Sequence, residues 1–369
     1  MQLSTLKAVV CPRCAGTAEP SPALSIDATD VEPQYAKEEL VEGIITCSLC
    51  EQQYPIIAGV LVIVPSLASY FRSNYSSIIA QACACSTVSD GMIDYLIRRG
   101  FHTGRSDARD YYSSPRKVST YINGGYDNLA GVMDSSDSLS NWFSTEYRCF
   151  YDEMLTMCLD SKASLPNHLF ALDVGCYVGS FCSRIGRSMQ HIYGVDMAFG
   201  GVLAARRIHF ETPAPLKEYE LFIDGSRSCK RSLSTPLPIS GDFVVADARA
   251  LPFRSGFFGF ISSLNLLELV KHPREYLSEI RRVGENGASV LITTPYYWEE
   301  EEVAVEEWIE NKLSSADAVR ELLCSHGMDI ISEKLHVPWV LRYNSRAYMT
   351  FLVHALLLCL AHETTRNDL

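Results

Sequence analysis

From Leu169 onward, short apolar runs alternate with segments of helical period. The runs Leu169–Val174, His191–Val195, Asp242–Ala246, Phe258–Ser263 and Ala288–Thr293 read as strands, rich in β-branched and aromatic residues. Between them, Phe181–Ser188, Gly201–Phe210, Arg274–Val283 and Ser315–His326 carry apolar positions at helical spacing. Such alternation predicts parallel strands joined by crossover helices, a doubly wound, mostly parallel α/β sheet over residues 166–369. Glu211–Ser240 carries no such pattern and reads as one long irregular segment, a length that points to function. The apolar stretch Met349–Ala361 contains His354 and falls short of the roughly 20 residues of a spanning helix. It reads as buried strand or core helix, so no membrane association is expected.

Upstream, the pattern changes twice. Residues 1–66 end in the apolar run Ile56–Val64, broken by Gly59 and closed by Pro65, which reads as short strands joined by a hairpin. Residues 67–165 are polar and irregular, except that Phe143, Tyr147, Phe150, Tyr151, Met154, Leu155 and Cys158 share one helical face. This zone is expected to be a linker followed by helices that cover the next domain.

Composition narrows the function. The 369-residue chain carries a formal charge of −12, which disfavours a protein that coats nucleic acid. Its one basic run, Arg98–Lys117, reads as a solvated face. Met1–Val10 lacks the continuous apolar core of a secretory signal, and 13 cysteines is an odd count. Reduced thiols and a cytoplasmic location are expected.

Cys11-Pro-Arg-Cys14 and Cys47-Ser-Leu-Cys50 each present two thiolates at one tight turn. Two such knuckles supply the four soft ligands of a tetrahedral, structural zinc site. A redox role is disfavoured because neither pair opens a helix in a βαβ pattern. The segment from Cys47 through Tyr54, Pro55 and Gly59 resembles the small zinc subunit that activates certain tRNA, rRNA and release-factor methyltransferases. Cys83-Ala-Cys85 is too tightly spaced for a knuckle, and both are expected in the core.

Asp173-Val-Gly175-Cys176-Tyr177-Val-Gly179 follows a strand and precedes a helix, so its glycines allow backbone to approach a ligand. Asp196, before Met197 at the end of the next strand, stands where a carboxylate can accept both ribose hydroxyls. Asp247-Ala248 ends the third strand, and Asn265 and Glu268 follow the fourth. In this order the motifs resemble class I S-adenosylmethionine-dependent methyltransferases. The resemblance implies a cofactor site of Asp173, Gly175, Cys176, Gly179, Asp196, Met197, Asp247, Ala248 and Asn265. Tyr177 departs from the Gly or Ala usual there, and a phenol in that place either crowds the cofactor or points away from it.

Flanking segments are more particular. Tyr111-Tyr112, Tyr219-Glu-Leu221, Tyr296-Tyr-Trp298 and Val337-Pro-Trp339 with Arg342 are similar, in that order, to the ovothiol-pathway 4-mercaptohistidine methyltransferase domain. That implies a small amino-acid-like, thiol-imidazole type acceptor. Tyr111, Tyr112, Tyr296 and Trp298 would wall the pocket, and Arg342 would clamp a carboxylate. Glu268 and Asn265 are the candidates to hold an imidazole or amine, as catalytic groups. Two alternatives stay open: an RNA or protein methyltransferase guided by the zinc ribbon, and a catalytically silent partner subunit.

Overall fold

The computed structural model describes residues 1–15, 23–103, 112–127, 149–160, 170–186, 188–233, 238–300, 302–309 and 314–361. Strands β6 (Phe170–Val174), β7 (His191–Asp196), β10 (Gly241–Val245), β11 (Phe258–Leu264), β12 (Gly284–Thr294), β13 (Met328–Asn344) and β14 (Ala347–Leu360) form one sheet. Their order is β10-β7-β6-β11-β12-β14-β13. The first five are parallel, while β14 runs antiparallel to β12 and β13 antiparallel to β14. The order reverses between β6 and β11, and a doubly wound sheet opens its crevice at such a point, beyond the strand C-termini. β6, β10 and most of β12 are buried on both faces, which explains their continuous apolar runs.

Crossover helices α5 (Ser180–Ile185), α6 (Phe199–His209), α7 (Pro273–Val283) and α8 (Ser315–Ser325) fall where helical spacing placed them, within a few residues. The apolar stretch near the end is a strand, β14. Upstream lie α1 (Leu67–Cys83), α2 (Asp90–Arg98), α3 (Pro115–Tyr126) and α4 (Phe150–Asp160). Ser66, Ser89 and Ser114 cap the first three by accepting the N–H groups of Ser69, Met92 and Lys117, and Pro115 opens α3 with no N–H to leave orphaned.

The N-terminal strands are β1 (Leu24–Asp27), β2 (Gln34–Ala36), β3 (Glu39–Cys47), β4 (Gln53–Ile57) and β5 (Val60–Leu61). Ala58 and Gly59, both at positive φ (50° and 79°), make the two-residue turn between β4 and β5. The chain then runs on to the main sheet: Val62 bridges Val245 in parallel, and Ile63 N–H donates to the Val245 carbonyl at 2.8 Å. The segment after β5 thus covers the edge of β10. Arg206 of α6, fully buried, pins the N-terminal strands to the main sheet by pairing with Glu39 of β3 (2.5 Å) and with Asp242 of β10.

Two expectations are corrected. Glu211–Ser240 is not irregular throughout: β8 (Glu218–Asp224) and β9 (Arg227–Ser232) form an antiparallel hairpin. Tyr219 and Leu221 alternate inward against α3, where the Tyr219 hydroxyl donates to Asp127 (2.6 Å) and accepts from Asn123 (3.0 Å). Cys83 is not core, whereas Cys85 packs against the core. α1 buries Ile78 and Ala82, so the next residue, Cys83, turns to solvent, and Cys85 is half-buried. The basic run is a solvated face at Arg98, Arg99 and Arg116, which are exposed, and departs from one at Lys117. Arg98 pairs with Asp30, Arg99 lies over Tyr95, Arg116 lies over Phe222, and Lys117 is buried. No helix among the described residues is long and apolar enough to cross a membrane.

Candidate functional site

A cleft of about 400 Å³ lies at the C-terminal ends of β6, β7, β10 and β11, where the strand order reverses. Its floor is the loop after β6. Gly175 (φ 78°) turns the chain so that the N–H groups of Gly175 and Cys176 both donate to the Val195 carbonyl, at 2.8 and 3.0 Å. A side chain at Gly175 would meet Leu266 at 3.1 Å in a left-handed conformation that L-residues avoid. Beneath the loop, Asp173 accepts from the Ser262 hydroxyl at 2.6 Å and from the Cys182 thiol at 3.4 Å. Burial pushes its carboxyl up to about 6, against those two hydrogen bonds.

Asp196 ends β7 on the cleft wall. Its two oxygens accept the N–H groups of Tyr177 (3.0 Å) and Ala198 (2.8 Å), which fixes the plane of the carboxylate. Asp247 and Ala248 follow β10 and also line the cleft, with the Asp247 carboxylate held by both the Nε and the terminal nitrogen of Arg249 (3.1 and 2.7 Å). Asn265 (φ 53°) closes the far side. Its amide oxygen accepts from the Thr293 hydroxyl at 2.7 Å, tying the end of β11 to β12.

Every residue expected at the cofactor site borders this cleft except Gly179. Gly179 (φ 73°) serves packing instead: a Cβ there would lie 2.9 Å from the Phe243 ring, so the absence of a side chain lets α5 close on β10. Tyr177 also lines the cleft, with its ring folded back over Gly201 of α6, where a Cβ would sit 2.3 Å from the phenol ring. Its hydroxyl donates to the Tyr112 carbonyl.

The expected acceptor residues are not all brought together. Tyr112 lines the cleft, and Tyr111 lies outside the described residues. Tyr296, Trp298, Arg342 and Glu268 do not line it. Tyr296, two residues past the end of β12, bonds through its hydroxyl to His354 of β14, and Trp298 stacks on Trp308. Trp339, Leu341 and Tyr343 share one face of β13. Alternation therefore turns the buried Arg342 to the other face, where it donates to the Tyr348 hydroxyl at 3.2 Å. Glu268, on the short turn Leu267–Leu269, is buried with one carboxylate oxygen unpartnered. Burial pushes it up to about 7. What fills the acceptor wall instead is a set of rings from three elements: Tyr121 of α3, Phe150 and Tyr151 of α4, and Trp339 of β13. Of these, Phe150 and Tyr151 were marked by helical spacing in the sequence, but nothing there showed that the four converge.

Apart from the cleft, the Sγ atoms of Cys11, Cys14, Cys47 and Cys50 lie within 4.8 Å of one another, three of the residues buried. Tyr54 stands 3.1 Å from the Cys11 sulfur. Burial and the neighbouring thiols push Cys14 up to about 12.

Residues 172–292, about a third of the chain, match the family model described as a methyltransferase domain. No curated protein matches the chain. Among solved structures, it is similar to magnesium protoporphyrin IX methyltransferase from Synechocystis PCC 6803 with bound SAH. That similarity has 14% identity and a TM-score of 0.40, over 68% of this chain and 97% of that one. It is also similar to the complex of the Haloferax volcanii Trm112 methyltransferase activator with its putative methyltransferase, at 16% identity and TM-score 0.38, over 57% and 88%. A third is a SAM-dependent methyltransferase from Methanosarcina mazei, at 14% identity and TM-score 0.38, over 53% and 93%.

Proposed function

We propose that this chain, whose residues 172–292 form a class I S-adenosylmethionine-dependent methyltransferase domain, methylates nitrogen or sulfur of a small-molecule acceptor. One observation carries the reading. A glycine turn after β6, a carboxylate ending β7, a carboxylate after β10 and Asn265 after β11 meet in one cleft at the reversal of the sheet. The residues fit the cofactor. The turn at Gly175 bares backbone, Asp196 is oriented to accept ribose hydroxyls, and Ala248 with Met197 leaves an apolar slot for adenine. S-adenosylmethionine, when bound, supplies a methyl group already activated by a sulfonium. Transfer of that methyl to the acceptor's lone pair would leave the cofactor as a neutral thioether. The chain's own task is then placement and exclusion of water, which α3, α4 and the cleft-side face of β13 perform by roofing the cleft.

A small acceptor is supported by the ring-lined wall, and of the basic run Arg98 pairs with Asp30 and Arg116 lies over Phe222. A thiol-imidazole is compatible with that wall. The carboxylate clamp at Arg342 is not, because the guanidinium faces the other side of β13. Methyl transfer from labelled S-adenosylmethionine into a cell metabolite extract, traced by mass, tests the reading. Transfer into purified RNA alone, with binding that falls roughly a thousandfold between 50 and 200 mM salt, would favour the ribbon-guided alternative.

The four cysteines are proposed to hold one structural zinc. Tetrahedral zinc with bonds of about 2.3 Å sets its sulfurs a little under 4 Å apart. The Cys11–Cys50 separation is 3.6 Å. Four thiolates leave no open position, so the metal's role would be to hold the ribbon that covers β10.

A further inference from the structure

The acceptor wall carries more information than its size. Tyr121 meets Trp339 edge-on at 5.9 Å, Trp339 lies tilted on Phe150 at 5.9 Å, and Phe150 meets Tyr151 at 5.4 Å and 72°. Tyr112 extends the wall through Tyr177, 6.0 Å away at 84°. Apart from Tyr177, these residues lie outside the turns after β6, β7, β10 and β11 that would hold the adenosyl group. Neighbouring rings at steep angles offer both faces and edges to the same space, which is the arrangement a further flat ring completes.

The same wall already carries a cation. Lys117 of α3 is buried, with its Nζ 5.3 and 5.4 Å from the ring centres of Tyr112 and Tyr121 and 3.0 Å from the Tyr343 hydroxyl. A positively charged ligand would face this ammonium through rings whose negative quadrupole it already engages. It would also face the sulfonium of the cofactor.

We propose that the acceptor presents a flat aromatic ring without positive charge, seated among Tyr112, Tyr121, Phe150, Tyr151 and Trp339, with the methylated atom on or beside that ring. The proposal rests on the methyltransferase reading of the cleft. It separates a planar acceptor from saturated metabolites, which gain area burial but no ring contacts, and from ammonium ligands, which aromatic cages otherwise favour.

Equilibrium dialysis of the full-length protein saturated with S-adenosylhomocysteine tests this, using naphthol, decahydronaphthol and phenyltrimethylammonium as probes. Naphthol is expected to bind about tenfold or more tighter than either of the others, the effect of two ring contacts of ordinary strength. Trp339→Leu keeps the apolar bulk and should lose about three- to tenfold for naphthol with little change for decahydronaphthol, and Trp339→Phe should restore most of it. Unchanged S-adenosylhomocysteine affinity in both variants reports an intact fold. Naphthol binding that is absent, or no tighter than that of decahydronaphthol or phenyltrimethylammonium, overturns the proposal. So does a Trp339→Leu variant that binds naphthol normally. If S-adenosylhomocysteine itself fails to bind the folded wild-type protein, the methyltransferase reading fails first and takes this one with it.

Discussion

Replacing Glu268 with Gln should stabilise the protein at pH 8. The carboxylate is 4% exposed and has one oxygen without a partner, with hydrogen bonds from its own backbone N–H and from the Thr294 hydroxyl to favour its ionised form. Burial dominates and raises it from an ordinary 4.5 to about 7. Because the folded value is the higher one, the folded protein holds more protons than the unfolded chain between those limits. Stability is therefore lost as pH rises through that window, and the buried charge costs its full amount above it. A displacement of about 2.5 units corresponds to roughly 3 kcal/mol. Gln keeps the shape and never ionises. Urea unfolding of wild type and Glu268→Gln, followed side by side from pH 4 to pH 8, measures the difference. The two should be within about 1 kcal/mol at pH 4 and diverge to as much as about 3 kcal/mol at pH 8, the variant being the more stable. A variant equal to or weaker than wild type at pH 8 would mean that the ionised carboxylate is paired, and that the argument from burial is wrong.

Arg206→Met should cost about 3–5 kcal/mol in thermal unfolding, because Glu39 and Asp242 are left buried without their cation. Adding Glu39→Gln and Asp242→Asn should recover most of the loss, and no recovery would place the cost in packing alone. Gly179→Ala should cost about 2–4 kcal/mol, combining a left-handed conformation with a Cβ 2.9 Å from Phe243. Trimming the ring with Phe243→Leu should return the packing share, and calorimetric melting of the single and double variants would reveal its absence. Purified protein should contain one zinc per chain by elemental analysis, and Cys47→Ser/Cys50→Ser should contain almost none. Full retention in that variant would refute the ligand assignment.

The sheet was legible because its central strands are buried on both faces. An apolar run such as Phe170–Val174 ending in a glycine turn has few other readings. The cysteine cluster was legible because two-residue knuckles are local. The hairpin at Glu218–Ser232 was written in the Glu-Tyr-Glu-Leu alternation and the Asp224-Gly225 turn, but its period is short and its partner, α3, is distant in sequence. Arg342 was misplaced because a one-residue offset from Trp339 parity decides which face of β13 it occupies. That parity means nothing until the strand is known. Tyr296 and Trp298 were misplaced for a related reason. The chain turns at Tyr296 (φ 55°) and directs its phenol to His354 rather than over the cleft. The acceptor wall itself joins α3, α4 and β13, and no local pattern announces such a convergence.

The central claim is that the cleft at the reversal of the sheet binds S-adenosylmethionine through Asp196. Titration calorimetry of the wild type and of Asp196→Ala against S-adenosylmethionine tests it most directly. The account predicts one site per chain in the wild type and a loss of about 2–3 kcal/mol in the variant, the scale of hydrogen bonds to a charged group. Absence of binding by the folded wild type, or equal affinity in a folded Asp196→Ala variant, would contradict it.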